Sequence, residues 1–227
     1  MIVFDNVSKS YPVRQGERVR VIERFSGTLL PGVNVGILGR NGAGKSTMMR
    51  LIAGSERPTT GTIYRDARIS WPLGFSGAFN ANLTGRQNLR FVARLYREDY
   101  DEIVDFVEDF AQIGRFMDEP IRTYSSGMRA RLNFGVSMAI PFDYYLIDEV
   151  IGVGDASFRD KCREVLSERR REASVFLVSH SSKMLRTFCD VGGVLADGRL
   201  TFYDTLEEAI EVHGRDQRDQ RAGRQAE

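Results

Sequence analysis

The sequence predicts an α/β fold in which a parallel sheet follows a small antiparallel sheet and is interrupted by a helical lobe. Three observations predict it. Residues 2–30 alternate apolar and polar positions (Ile2, Phe4, Val7; Val19, Val21, Phe25), the pattern of strands with one solvated face. The runs VNVGIL at 33–38, YYLID at 144–148 and SVFLVS at 174–179 lack that alternation, as strands covered on both faces do. From Leu89 onward Val92, Tyr96, Ile103, Phe106, Val107 and Phe110 recur at three- and four-residue steps, a helical stripe.

Taken in order, two antiparallel strands flank a polar loop near Val13–Arg18. The strand at 33–38 runs into a glycine-rich turn, Gly39–Gly44, and a helix starts near Lys45 and stops at Gly54, whose missing side chain suits a C-cap. The helical lobe spans about 82–140. The chain then returns to strand, with a hairpin over 191–202 that turns at Asp197–Gly198. Residues 1–212 form one domain. From Gly214 the tail GRDQRDQRAGRQAE is nearly free of apolar residues and is expected to fray or be disordered.

A length of 227 residues suits one domain, or one domain with two lobes, and can bury a proper core. The net charge of +1 argues against holding nucleic acid by a bulk positive field. Residues 98–109 carry seven acidic residues and no basic one, so the outer face of that helix repels phosphate. Cys162 and Cys189 lie far apart without metal-ligand spacing and read as reduced thiols. Asp5 and Lys9 fall within the first ten residues, so no signal peptide is expected there. No apolar run approaches the roughly 18–20 residues that span a bilayer, so work at a membrane would need another protein as anchor.

The chemistry concentrates in Gly39-Arg40-Asn41-Gly42-Ala43-Gly44-Lys45-Ser46, a phosphate-loop pattern between a strand and a helix. The glycines let successive N–H groups turn toward phosphate oxygens, and the helix adds its positive dipole end. Lys45 is placed to reach the β- and γ-phosphates and the Ser46 hydroxyl to coordinate Mg²⁺. The strand Tyr144–Ile147 ends in two carboxylates. Asp148 suits the Mg²⁺ ion and Glu149 the polarisation of an attacking water.

Between these motifs lies Tyr124-Ser125-Ser126-Gly127-Met128, and here the chain resembles the nucleotide-binding subunits of ATP-binding-cassette (ABC) transporters over residues 1 to about 212. The resemblance implies a RecA-like phosphate-loop NTPase core with an N-terminal antiparallel β-subdomain and an inserted α-helical subdomain. It implies ATP held by Gly39, Asn41, Gly42, Ala43, Gly44, Lys45, Ser46 and Thr47, with Tyr11 stacked on adenine and His180 touching the γ-phosphate. Ser125–Gly127 looks like the signature loop, which caps the γ-phosphate bound by the other subunit. The usual form is Leu-Ser-Gly-Gly-Gln; Tyr124, Ser126 and Met128 depart from it, whereas Ser125 and Gly127 keep the contacting atoms. Asp155 matches the loop that bridges the two subunits. The family's γ-phosphate-sensing glutamine has no counterpart in Phe75–Thr84, where Asn80 is best placed; its amide is one methylene shorter and would need a bridging water to reach Mg²⁺ or the attacking water.

The segments ISWPLGFSGAFNANLTGRQNLRFVARLY, TYSSGMRARLNFG and DYYLIDEVIGVGDASFRDKC resemble the ATPases of capsular-polysaccharide exporters. That implies ATP hydrolysis by a head-to-tail homodimer on the cytoplasmic face of the inner membrane. It further implies an integral-membrane permease partner, further capsule-export proteins and no nucleic acid. O-antigen and teichoic-acid exporters share the VGDASF-type stretch and are the nearest alternative. A soluble cassette ATPase acting on nucleic acid is less favoured, since the acidic lobe offers no phosphate-binding stripe. A small-molecule kinase would leave Ser125–Gly127 and His180 unexplained. The resemblance implies a permease helix in the cleft between the lobes, beside Trp71, Leu73, Phe75 and Phe79; the alternative is that these apolar side chains only pack the two lobes together.

Overall fold

In a computed structural model, which describes residues 1–13, 16–73, 79–148 and 155–225, the chain folds into two sheets and a helical lobe. Strand β1 (Ile2–Pro12) is the centre of a three-stranded antiparallel sheet, paired with β2 (Arg18–Leu29) on one side and β4 (Thr60–Arg65) on the other. The second sheet has the order β5-β6-β3-β7-β8. In it β3 (Val35–Leu38), β5 (Tyr144–Asp148), β6 (Ser174–Val178) and β7 (Val191–Ala196) run parallel, and β8 (Arg199–Tyr203) returns antiparallel to β7. Strand β3 is two residues shorter than expected. Its four residues are all buried, as central parallel strands require. The β7–β8 hairpin turns at Asp197 and Gly198, both with positive φ (48° and 80°), the backbone a two-residue hairpin loop demands.

Helix α1 (Lys45–Ala53) leaves β3 through the glycine turn and ends at Gly54, whose left-handed backbone lets its N–H reach the Leu51 carbonyl. The helical lobe consists of α2 (Gly85–Tyr96), α3 (Tyr100–Ala111), two short 3₁₀ turns and α4 (Ser126–Ala139). Thr84 and Gln87 form a reciprocal capping box at the start of α2, and Asp99 caps α3. The apolar stripe of α2 and α3 closes on Leu132, Phe134 and Val136 of α4.

The connection from β4 to this lobe follows the free edge of β5. The Ser70 N–H donates to the Tyr144 carbonyl and the Leu73 N–H to the Leu146 carbonyl, so 69–73 extend the parallel sheet. Its described side chains follow the packing alternative rather than forming an open docking patch. Leu73 is in the core, and Trp71 sits against the rings of Tyr96 and Phe142 (centroids 5.7 and 5.6 Å). Phe79 is half-buried against the same core, and Phe75 lies outside the described residues. Trp71, Leu73 and Phe79 therefore help to join the two lobes; among the described residues of the helical lobe, Phe91 and Leu95, one turn apart on α2, are large apolar side chains left exposed.

After β5, α5 (Ala156–Arg169) and α6 (Ser182–Phe188) complete the second sheet's cover, and α7 (Leu206–Gln225) packs on β7. The polar tail expected to fray from Gly214 is the continuation of α7. Leu206 and Ala209 fix the helix on the sheet, and the pairs Glu211–Arg215 and His213–Gln217, each four residues apart, support the following turns. Cys162 and Cys189 are buried free thiols whose pKa values burial pushes up to about 12, which makes both inert. No helix among the described residues is long and apolar enough to cross a membrane.

Candidate functional site

The site begins where β3 ends. Gly39, Gly42 and Gly44 all have positive φ. Two of them are also required by space, because a Cβ on Gly39 would strike the Leu195 carbonyl and one on Gly44 the Val21 side chain. The loop thus curls between β7 and β2, and α1 starts directly behind it.

Lys45, only 8% exposed, reaches back across the loop and donates to the carbonyls of Gly39 (2.6 Å) and Arg40 (2.9 Å). Ser46 donates to Asp148 Oδ2 at 3.0 Å, joining residues 102 apart in sequence. A cleft of about 400 Å³ is lined by Val21, Asn41, Gly42, Gly44, Lys45, Ser46, Thr47, Asp148, Val178 and His180. His180 lies just beyond the end of β6, so three neighbouring strands, β5, β6 and β3, deliver their C-terminal ends to one cavity. Open parallel sheets bind ligands at that edge.

Tyr11 lies beside α1, where its hydroxyl is 3.3 Å from Thr47 Oγ1 and donates to Glu56 Oε1 at 2.5 Å. Across the loop a second cleft of about 470 Å³ brings Arg40 and Asn41 together with His213 and Asp216 of α7. Burial, with the nearby Lys45 and His180, holds the His213 pKa below its ordinary value.

Other expected residues stand apart. Ser125 caps α4, its Oγ accepting from the Met128 N–H, and Gly127 occupies the first helical turn; neither lines the cleft of Lys45. Tyr124, where the family pattern has Leu, is buried, and its hydroxyl donates to the Phe116 carbonyl. Room for that hydroxyl comes from Gly85, where a Cβ would lie 2.7 Å from it. Burial pushes the Tyr124 pKa up to about 12.

Asp155 caps α5 through Phe158 N–H (2.9 Å) and accepts from Ser157 Oγ (2.7 Å). It also pairs with Arg131 of α4 at 2.8 Å. The Ser157 hydrogen bond first, then the Phe158 N–H and the Arg131 charge, lower its pKa. Asn80 is not among the lining residues of the cleft. Its Oδ1 accepts from the Asn82 N–H, and its backbone N–H donates to Asn88 Oδ1. Glu149 lies outside the described residues.

A glycine loop between strand and helix, a lysine folded over it and a serine hydroxyl bound to a strand-end aspartate define a phosphate-loop nucleotide-binding ATPase. The chain belongs to the ABC transporter family, whose pattern matches residues 22–152. Over 94% of its length it is 50% identical to the capsule polysaccharide export ATP-binding protein CtrD of Neisseria meningitidis serogroup B, covering 98% of that protein. With an O-antigen export system ATP-binding protein of Klebsiella pneumoniae the identity is 34%, over 94% of this chain and 97% of the relative. Among solved structures, a dimeric ATP-binding cassette in a post-hydrolysis state with ADP and Pi superposes with a TM-score of 0.76 at 21% identity, over 88% of this chain and 96% of that one. That last likeness fixes the fold.

Proposed function

We propose that the chain is the ATP-hydrolysing subunit of an exporter that moves lipid-linked capsular polysaccharide across the cytoplasmic membrane. The observation that carries this reading is the 50% identity to a capsule-export subunit over nearly the whole of both chains. The lower identity to the O-antigen subunit favours capsule over O-antigen as cargo. The acidic outer face of α3, with Asp101, Glu102 and Asp105 exposed, disfavours nucleic acid as a partner.

Two copies work head to tail. In each site Lys45, Ser46, Thr47 and the loop N–H groups come from one chain, and Ser125 and Gly127 from the other. On binding ATP, Lys45 exchanges the Gly39 and Arg40 carbonyls for phosphate oxygens, so part of its binding energy replaces bonds already made.

Ser46 Oγ and Asp148 Oδ2 are hard oxygen donors 3.0 Å apart and fit Mg²⁺. Among the described residues no three His, Cys, Asp or Glu side chains gather, as suits an ion held largely by the nucleotide itself. When bound, Mg²⁺ neutralises charge on the β- and γ-phosphates. Glu149 orients and polarises the attacking water, and His180 hydrogen-bonds the γ-phosphate, with Asn80 acting from further off through water. Asp155 steadies α4 through Arg131 and so holds the signature loop. Lys45→Ala in the native cell tests the reading: surface capsule should disappear and lipid-linked polysaccharide accumulate inside. Unchanged surface capsule refutes it.

The permease seats one of its helices on α2, where Phe91 and Leu95 are 57% and 60% exposed. Phe91→Ser with Leu95→Ser should reduce co-purification with the permease at least tenfold while leaving ATPase activity and Tm of the isolated subunit nearly unchanged. Retained co-purification would place the docking surface elsewhere.

A further inference from the structure

Tyr11 belongs to a polar cluster that none of the sequence motifs contains. Lys9 and Tyr11, two residues apart on β1, point to the same side of the strand, toward α1. Beyond the Gly54 cap of α1 the chain doubles back, the Glu56 N–H donating to the Arg50 carbonyl, and carries the Glu56 carboxylate under that strand. There Glu56 accepts from the Tyr11 hydroxyl (2.5 Å) and pairs with Lys9 (2.8 Å) and Arg50 (2.9 Å). Arg50 also donates to the Tyr11 hydroxyl (3.3 Å) and to Thr47 Oγ1 (3.1 Å). The Lys9 ammonium, besides binding the Arg57 carbonyl, lies 5.0 Å from the centre of the Tyr11 ring.

The Lys9 and Glu56 side chains are only 13% and 17% exposed, so these charges are partly withdrawn from water. Burial alone would raise the Glu56 carboxyl, but hydrogen bonds from Lys9, Tyr11 and Arg50 outweigh it and bring the pKa down to about 2. The carboxylate is therefore an anion at neutral pH, held by two cations and a phenol.

A tyrosine fixed only by its backbone could swing about two torsions. Here the hydroxyl is pinned at its far end by Glu56 and the Lys9 ammonium lies over one ring face, which together fix the plane of the ring. We infer that Glu56 is a positioning residue for nucleotide binding: with Lys9 and Arg50 it sets the Tyr11 ring in its stacking orientation and ties it to Thr47, in the first turn of the helix behind the phosphates. The inference rests on the ATP-binding reading above and deepens it. Glu56 touches neither base nor phosphate; it acts through Tyr11.

The phosphate end and the base end are separable by ligand. Inorganic tripolyphosphate offers the loop its phosphates and offers Tyr11 nothing to stack on. Binding of MgATP and of Mg-tripolyphosphate is measured for the wild type, Glu56→Ala, Glu56→Gln and Tyr11→Phe. Glu56→Ala should weaken ATP about fivefold to tenfold and leave tripolyphosphate within twofold, one lost base-stacking orientation being worth about 1 kcal/mol. The KM for ATP should rise with kcat unchanged. Glu56→Gln, which keeps an acceptor for the Tyr11 hydroxyl, should recover part of the loss. Tyr11→Phe keeps the ring and strands no charge, so it provides the same test should Glu56→Ala fail to fold. Equal weakening of both ligands would make Glu56 a support of α1 only, and unchanged ATP binding would remove its role; either result overturns the inference. A wild type that holds tripolyphosphate as tightly as ATP would refute base stacking at Tyr11 itself, a failure distinct from the other two.

Discussion

Asp148→Asn should lower ATP hydrolysis by at least a hundredfold, the scale on which one preorganised polar group contributes at such sites, and raise the Mg²⁺ concentration needed for what remains. The expectation follows from the hydrogen bond that joins α1 to the end of β5, Ser46 Oγ to Asp148 Oδ2 at 3.0 Å. An amide in place of the carboxylate keeps the shape of the β5 end but removes the negative charge with which the Ser46–Asp148 pair recommends this corner to a divalent cation. Ser46→Ala should show the same shift in Mg²⁺ dependence. The double variant should be less impaired than the two single losses multiplied, because both remove one shared function. Glu149→Gln should behave differently. Hydrolysis falls by about 10²- to 10⁴-fold as the water loses its base, while MgATP affinity is kept and ATP accumulates in a stable dimer. Equal Mg²⁺ dependence in Asp148→Asn and wild type would take Asp148 out of the metal role, and near-normal turnover in Glu149→Gln would take Glu149 out of catalysis.

What the sequence made legible was chemistry local in the chain or carried at the ends of strands. The loop from Gly39 to Ser46 is continuous, its glycines are dictated by backbone angle and by the approach of Leu195 and Val21, and hydropathy marks the strand before it and the helix after it. Asp148 was legible because it ends the apolar run YYLI, and His180 through its resemblance to the family's switch histidine at the end of SVFLVS. The Glu56 cluster was not, since it draws Lys9 and Tyr11 from β1, Arg50 from α1 and Glu56 from the turn after it. No spacing rule links those positions; only the pairing of β1 with β2 and β4 over α1 does. For Trp71 and Leu73 the sequence left docking and lobe packing both open, for a related reason. An aromatic-rich connection reads as an unpartnered patch until 69–73 are seen to hydrogen-bond along β5, which turns their side chains inward. Tyr124 departs from the signature pattern, yet the fold absorbs it through Gly85 and the Phe116 carbonyl, a compensation spread over forty residues of sequence. Composition misled at the tail, because a polar helix anchored at one end by Leu206 and Ala209 needs no apolar stripe of its own further on.

Mixing Lys45→Ala chains with Gly127→Asp chains should restore hydrolysis that neither variant shows alone. Gly127 is in the first turn of α4, and a side chain there meets nothing closer than Ser125 Oγ at 3.9 Å, so an aspartate fits within its own chain. An acidic residue in a first helical turn is also favoured by the helix dipole. Gly127→Asp should therefore fold with a Tm close to wild type, and its inactivity must arise where this turn faces another molecule. Within one chain neither Ser125 nor Gly127 lines the cleft of Lys45 and Ser46, which supports assigning them to the site of a second copy. There an added carboxylate would face the γ-phosphate and repel it at short range. In the mixed dimer one site combines both lesions, and the other combines an intact Lys45 with an intact Gly127. Random pairing at equal concentrations should then return about a quarter of wild-type turnover if the sites act independently. Dimers trapped with ATP and separated by mass would report the mixed species directly. Mixed dimers that form but recover neither hydrolysis nor ATP-dependent closure would rule out the head-to-tail arrangement. Recovery by Gly127→Asp alone at high ATP would place this turn outside the site altogether.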